Sequence, residues 1–175
     1  MVDQGPKGYC VVASAQRLFE YFGISCDEHQ LAQLAGSQAQ GGTNSGQMMK
    51  ALQSIDGSFK TQFKPLMLLY SDHSLREPRT QKRMEEKEFQ KLVLDYVGKG
   101  IPLLWGLELG RFPEEPPLKM QGSGGHMRLI IGCNPKTGQL IFTDSWGPGH
   151  EMKRMKLADA FAETHGLFAM QPTTH

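Results

Sequence analysis

A cysteine near the start of the chain has the surroundings of an activated nucleophile. Cys10 follows a short loop that contains Gly5, Pro6 and Gly8. After Cys10, apolar residues recur at helical spacing until Gly23, which is typical of a helix end. A thiol reacts as its thiolate, and the amide dipoles and unpaired N–H groups at a helix N-terminus lower the pKa of a thiol. The pattern therefore predicts that Cys10 opens the first helix and acts there as a nucleophile.

A side-chain amide precedes this cysteine. Gln4 lies six residues before Cys10, in a loop that can fold back toward the thiol. An amide donor aimed at the oxyanion of a tetrahedral intermediate stabilises that intermediate. We therefore predict that Gln4 is an oxyanion donor.

The partners that a cysteine nucleophile needs lie on a predicted hairpin. His126 to Cys133 and Gln139 to Asp144 are predicted strands, joined by the turn sequence Asn-Pro-Lys-Thr-Gly. Antiparallel pairing brings His126 and Asp144 to the same end of the sheet. A carboxylate that accepts a hydrogen bond from one imidazole nitrogen fixes the tautomer and leaves the other nitrogen facing the thiol. The sequence therefore predicts a Cys-His-Asp triad.

Each of these residues alone also fits a structural role. A cysteine before an apolar helix is often an inert, buried residue. His126 alone fits a hydrogen-bonded residue at a sheet edge, and Asp144 alone fits a turn at a strand end. The joint placement of a helix N-terminus and one hairpin edge is what favours catalysis.

Helices dominate the first half of the chain. A second helix is predicted after Asp27, its N-cap, with Gln30 in a capping-box relation. A third, short helix is predicted around Met48 to Ile55, after a loop of small and amide residues. A segment of mixed charge then leads into a helix that ends at Gly98, and its charges are interpreted as a solvated face.

Strands dominate the second half. Already before the charged segment, Phe59, Thr61 and Phe63 alternate as in a strand, and Leu66 to Tyr70 is a second apolar run. Ile101 to Leu109 is predicted to be a buried strand, with Pro102 near its start. Beyond the hairpin, a short helix is predicted near Leu157 to Ala162 and a last strand at Leu167 to Met170. Helices followed by an antiparallel sheet predict the α+β class.

A Pro- and Gly-rich loop separates the buried strand from the hairpin. Arg111 to Gly125 is too long for a turn. It is interpreted either as the rim of a substrate cleft or as a disordered connection, and the sequence does not separate the two.

Composition bounds the function classes. The 175 residues predict one domain over residues 1–175, with a net charge of +1 that gives no reason to expect nucleic acid as a partner. No apolar run approaches a membrane span. Because the nucleophile loop begins three residues into the chain, a leader or propeptide before Met1 is one expectation, and the compartment and the oligomeric state stay open.

The remaining cysteines and histidines suggest no cofactor. Cys10, Cys26 and Cys133 form no CxxC pair, and the other histidines show no HExxH spacing. We therefore predict no metal and no cofactor, and interpret Cys26 and Cys133 as core or surface thiols.

These residues also carry a family resemblance. Gln4-Gly5, Gly8 and Cys10 resemble the Gln-Gly, Gly and Cys motif of papain-like cysteine peptidases. The pair Gly125-His126 and the run Asp144-Ser145-Trp146-Gly147 are similar to the His strand and the Asn-Ser-Trp-Gly segment of the same superfamily. The compact order of elements, and Asp as the third member, are most similar to the stand-alone relatives of bacteriocin-processing (double-glycine leader) peptidases.

The resemblance implies a papain-like fold and a set of roles. Cys10 would be the nucleophile, His126 the base and later the general acid, and Asp144 the residue that orients His126. Gln4 and the Cys10 backbone N–H would form the oxyanion hole. Gly125 and Trp146 would be substrate-binding residues, with Trp146 also shielding the His-Asp hydrogen bond or serving simply as a core aromatic. Tyr9 and Val11 differ from the corresponding residues in papain.

The predicted function is a thiol hydrolase that cleaves peptide or isopeptide bonds in a peptide or protein substrate through an acyl-enzyme on Cys10. An acyltransferase or transglutaminase-like enzyme would use the same residues, with an amine in place of water. A non-catalytic peptide-binding module on the same fold is the third alternative.

Overall fold

The fold is described from a computed structural model, which describes residues 9–34, 50, 53–54, 63–70, 84–118 and 124–173. Gln4, the loop at 36–46, the alternating residues Phe59 and Thr61 and most of the charged segment lie outside the described residues. Of the predicted helix at Met48 to Ile55, only Lys50, Gln53 and Ser54 are described, and they are helical.

Two helices open the described chain. Helix α1 spans Cys10–Tyr21 and is followed by Gly23, whose φ of 77° lies in the left-handed region that glycine tolerates best. Helix α2 spans Glu28–Leu34. The Asp27 carboxylate accepts hydrogen bonds from the backbone N–H groups of His29 (2.9 Å) and Gln30 (3.1 Å), as the N-cap prediction requires.

The centre of the fold is a six-stranded sheet in the order β1-β6-β2-β3-β4-β5, in which every neighbouring pair is antiparallel. The strands are β1 (Phe63–Tyr70), β2 (Leu103–Leu109), β3 (Gly124–Asn134), β4 (Gln139–Thr143), β5 (Lys153–Lys156) and β6 (Thr164–Pro172). Helix α3 (Glu86–Val97) precedes β2, and helix α4 (Leu157–Glu163) lies between β5 and β6. The α+β prediction is confirmed.

Apolar side chains alternate between the two faces of the sheet, and helices cover both faces. One core cluster joins α1 and α2 to β2, β3 and β6, and contains Val12, Leu18, Phe19, Leu31, Leu104, Leu129 and Phe168. The other joins α3 and α4 to the opposite face, and contains Phe89, Val93, Leu103, Trp105, Ile130, Phe142, Ala160 and Leu167. The sheet therefore forms the middle layer.

The hairpin that carries the predicted histidine and aspartate forms as predicted. Strands β3 and β4 are joined at Asn134, whose side-chain oxygen accepts from the N–H groups of Lys136 (3.1 Å) and Thr137 (3.3 Å). Gly138 closes the turn with a φ of 63°, which glycine adopts without strain.

Strand β5 and the loop before β3 differ from the prediction. Strand β5 was not predicted, because Lys-Arg-Met-Lys contains one apolar residue and no turn signal of its own. The predicted loop Arg111 to Gly125 is held at Glu115, whose backbone pairs with that of Arg154 in β5, and its last two residues belong to β3. Within the described residues, no helix is long and apolar enough to cross a membrane.

Candidate active site

Cys10 is the first residue of α1 and remains partly accessible. Its helix is tied to the sheet one turn later, where the buried Ser14 hydroxyl donates to the carbonyl of Met127 at 3.1 Å. Met127 is the neighbour of His126 in β3, so this hydrogen bond fixes the start of α1 beside the histidine. The amide dipoles of a helix N-terminus favour a thiolate at this position.

The sheet register places Asp144 next to His126. Thr143, the last residue of β4, pairs with Leu129 of β3, so the chain beyond β4 runs alongside the first residues of β3. His126 Nε2 and Asp144 Oδ1 are 2.7 Å apart, and both side chains are buried. The Asp144 carboxylate also accepts from the Ser145 N–H at 2.8 Å. The structure therefore brings the predicted histidine and aspartate into direct contact.

The thiol of Cys10 interacts with the same imidazole. Because Asp144 occupies Nε2 of His126, the hydrogen bond between His126 and Cys10 uses the other ring nitrogen, Nδ1. Burial alone would raise the pKa of the Cys10 thiol. The hydrogen bond and the charge of His126, with backbone hydrogen bonds at Met127 and Val11, outweigh burial and hold that pKa below its ordinary value.

His126 and Asp144 have opposite pKa shifts. Burial would lower the pKa of His126, but its hydrogen bonds to Asp144 and Cys10 and their negative charges raise it. Burial would likewise raise the pKa of Asp144, but the hydrogen bond and charge of His126, the charge of Arg128 and the Ser145 N–H lower it to about 2. The three pKa shifts favour the thiolate form of Cys10, the imidazolium form of His126 and the carboxylate form of Asp144.

The other two cysteines lack this activation. Burial, together with the charges of Glu20 and Asp27, raises the pKa of the Cys26 thiol to about 11. Burial also raises the pKa of the Cys133 thiol. Because a raised pKa lowers the thiolate fraction, these shifts favour the thiolate form at Cys10 over Cys26 and Cys133.

Trp146 covers the imidazole. Its ring stacks on that of His126, with centroids 4.2 Å apart and an interplanar angle of 9°. Its other contacts include an edge-on approach to the His150 ring at 5.8 Å. Trp146 is half-buried, so it shields one face of the histidine while keeping an exposed part.

Gly125 lies beside this pair. It is exposed, pairs with Glu108 of β2, and a Cβ added to it would meet no atom of the described residues within 4 Å. Among the described residues, the space beside Gly125 and next to His126 is therefore open.

A set of buried charges behind Asp144 was not predicted. Arg128 is fully buried in β3 and contacts both Asp144 and Glu114, and Glu114 also pairs with Lys153. One signal was present in the sequence: Arg128 interrupts an apolar strand two residues after His126 and on the same face. A charge buried in a strand requires a partner.

Arg17 of α1 was also missed. Its guanidinium donates to the Asp144 carbonyl at 2.5 Å and to the Thr143 hydroxyl. The sequence contains no signal for this contact, because it joins residues more than 120 positions apart. Arg17 ties α1 to the end of β4.

Gln4 lies outside the described residues, so its predicted role stays a prediction. Among the residues that the structure describes, no group of three or more His, Cys, Asp or Glu side chains is arranged to hold a metal ion.

The arrangement suits nucleophilic chemistry. A partly accessible thiol with a lowered pKa faces an imidazole whose far nitrogen is held by a buried carboxylate. Such a group can attack an electrophilic carbonyl and return a proton to the leaving group.

Comparisons with known proteins bear on the fold and on the family of this chain. A search of curated proteins finds no match. Among solved structures, the peptidase domain of Streptococcus ComA, a bi-functional ABC transporter involved in a quorum-sensing pathway, is similar in fold, with a TM-score of 0.57. The match covers 98% of this chain and 95% of that chain at 16% sequence identity.

The family is shown by a match along the sequence. The model of the Peptidase_C39 like family matches residues 1–169, which is nearly the whole chain. This chain therefore belongs to the Peptidase_C39 like family and is a cysteine peptidase.

Proposed function

We propose that the chain hydrolyses peptide or isopeptide bonds through an acyl-enzyme on Cys10. The observation that carries the proposal is the contact series Cys10, His126 and Asp144, in which the thiol has a lowered pKa and the imidazole a raised one. A thiolate paired with an imidazolium supplies both the nucleophile and the proton that acyl transfer needs.

The first half of the reaction forms the acyl-enzyme. The Cys10 sulfur attacks the carbonyl carbon, and the carbonyl electron pair moves to the oxygen. As the tetrahedral intermediate collapses, the carbon–nitrogen bond breaks, and the His126 imidazolium gives its proton to the leaving amine. Asp144 holds the ring through Nε2 so that Nδ1 faces the sulfur.

The second half releases the acid. Water attacks the thioester carbon and gives a proton to His126, and the carbon–sulfur bond then breaks to leave the Cys10 thiolate. We propose that the oxyanion of both tetrahedral intermediates accepts hydrogen bonds from the Gln4 side-chain amide and from the backbone N–H of Cys10. The resemblance of the motif around Cys10 to that of papain-like cysteine peptidases supports this proposal.

Gly125 and Trp146 are proposed to contact the substrate. The open space beside Gly125 and the partly exposed Trp146 ring both border His126, where the scissile bond has to lie. Trp146 also limits the access of water to the imidazole, since it covers one ring face. The similar ComA domain is described as a peptidase, and this supports a peptide as the substrate class here.

Peptide cleavage by cysteine variants tests the proposal. We expect the wild-type chain to release new carboxyl termini from a peptide library, read by mass spectrometry, and Cys10→Ala to reduce cleavage to background. Cys26→Ser and Cys133→Ser are the matched controls and should keep wild-type turnover. Cleavage by Cys10→Ala would contradict the proposal.

The same assay separates hydrolysis from acyl transfer. The reaction is repeated with hydroxylamine as an added amine acceptor and compared by product mass. Free acids as the dominant product without the acceptor support a hydrolase. Products that appear only with the acceptor would instead identify an acyltransferase, which shares every residue of the site.

A further inference from the structure

A chain of buried side chains with alternating charge extends from the edge of the sheet to the thiol. Its ion pairs run from Lys153 in β5 through Glu114 to Arg128 in β3, and from there through Asp144 to His126. The hydrogen bond between His126 and Cys10 completes it. The Lys153 and Arg128 side chains are almost fully buried, at 1% and 0% exposed. Charges are rarely buried unless they are paired.

Arg128 divides its donors between two carboxylates. Its Nε donates to Asp144 Oδ2 at 2.6 Å, while the two terminal nitrogens donate to Glu114 at 2.6 and 3.2 Å. Asp144 is left with its other oxygen, Oδ1, for His126. The arrangement of the guanidinium donors thus sets the orientation of the Asp144 carboxylate.

The guanidinium is itself held in place. It lies over the Phe142 ring, with its central carbon 4.6 Å from the centroid, and 5.9 Å from the centroid of Trp146. Lys153 pairs with the same Glu114 that grips Arg128, so the carboxylate is fixed from two sides. Arg128 therefore has little freedom to move away from Asp144.

We propose that Arg128, held by Glu114 and Lys153, is a positioning residue that fixes the Asp144 carboxylate and, through it, the orientation of His126 toward Cys10. The proposal rests on the proposed function of Cys10, His126 and Asp144. Arg128 touches no reacting atom and acts through Asp144 alone.

Other charged groups face this chain and bear on its pH dependence. Arg17 of α1 donates to the Asp144 backbone carbonyl. Glu163 of α4 interacts through space with Arg128 and Glu114, and it also feels the charges of Arg111 and Asp159. Burial is the largest cause that raises the pKa of Glu163, to about 8, so this carboxyl stays neutral next to Arg128 at neutral pH.

The first test measures alkylation of Cys10 by iodoacetamide against pH, together with kcat and KM for a cleaved peptide. For Arg128→Met we expect kcat to fall roughly ten- to a hundredfold with little change in KM, the range typical for loss of a supporting partner. The reactivity of Cys10 at acidic pH should fall in parallel. Arg154→Met, which removes an exposed arginine, is the matched control and should behave as wild type.

Arg128→Lys tests whether the fork matters. A single ammonium cannot hold Asp144 and both Glu114 oxygens in the same geometry. We therefore expect Arg128→Lys to stay impaired, and full recovery of kcat would overturn the positioning role of the guanidinium.

A double variant tests whether Arg128 acts through Asp144. In the Asp144→Asn background, adding Arg128→Met should cause no further loss of kcat, because the carboxylate to be positioned is already gone. Additive losses would overturn the proposal, since they would mean that Arg128 affects the reaction by another route.

Two further variants keep the outcome decisive. Removal of a buried cation can prevent folding, so Glu114→Gln, which preserves shape, is measured as well and should reduce kcat and acidic reactivity in the same direction. Wild-type behaviour of either folded variant, Arg128→Met or Glu114→Gln, would overturn the proposal. His126→Ala serves as the reference: if it leaves acidic reactivity intact, the proposed function of the triad fails instead.

Discussion

Single residues differ in how far the sequence reveals them. Cys10 was predicted from the helix that follows it, and the hairpin signal placed His126 and Asp144 at one end of the sheet. Their catalytic roles stay predictions until activity is measured. The ion pairs around Arg128 were not predicted. Glu114 lies in a loop and Lys153 in β5, and neither segment has a sequence pattern that predicts these contacts.

Glu163 is a buried carboxyl at the end of α4 whose contribution depends on pH. Its side chain is 2% exposed, and its Oε1 has no hydrogen-bond partner among the described residues. Burial raises its pKa from 4.5 to about 8. Because the folded chain keeps this proton while the unfolded chain loses it, the contribution of Glu163 to the free energy of unfolding is greatest below pH 4.5 and declines as the pH rises toward 8.

We therefore predict that Glu163→Gln is less sensitive to alkaline pH than the wild type. Between about pH 5 and 8, the free energy of unfolding of the wild type should fall by on the order of 1 kcal/mol per pH unit more than that of Glu163→Gln. Urea unfolding at several pH values measures this, with the exposed Glu115→Gln as control. Parallel pH profiles for Glu163→Gln and wild type would contradict the buried, protonated state.

At the scale of elements, the site depends on how α1 is held against the sheet. Ser14 ties its first turns to β3, and Arg17 ties the next turn to the end of β4. These two contacts set the separation between the thiol and the imidazole, which apolar packing alone does not specify to a fraction of an ångström. Reactions of this kind are sensitive to displacements of about 1 Å.

Arg17→Met tests this tie. We expect kcat to fall about tenfold while the helix content by circular dichroism stays that of the wild type, because the apolar face of α1 still packs on the sheet. Arg154→Met again provides the control for loss of a positive charge. Unchanged kcat in a folded Arg17→Met variant would show that α1 keeps its position without this contact.

Elements were predicted best where the local pattern is strong. Helix α1, strand β2 and the β3–β4 hairpin follow from apolar spacing and turn residues. Strand β5 exists because β4 offers it an edge and Lys153 and Met155 turn inward, and neither reason is visible in four residues alone. The pairing of β1 with β6 likewise joins distant segments and depends on the whole sheet.

At the scale of the whole molecule, the site consists of two halves from distant parts of the chain. The thiol comes from the first helix on one side, and the imidazole, carboxylate and covering tryptophan come from one hairpin and the turn after it. The family match and the ComA-like fold confirm the predicted class of cysteine peptidase. The prediction that residues 1–175 form one domain stays a prediction.

Selective reactivity of Cys10 tests the central claim most directly, because it requires both halves to meet. Labelling by iodoacetamide is followed at each cysteine by mass spectrometry from pH 4 to 10, for the wild type and for His126→Ala. We predict that wild-type Cys10 reacts well below the ordinary thiol pKa of about 8.5, that Cys26 and Cys133 do not, and that His126→Ala removes the advantage. Equal labelling of the three cysteines, or an unchanged Cys10 profile in His126→Ala, would contradict the account.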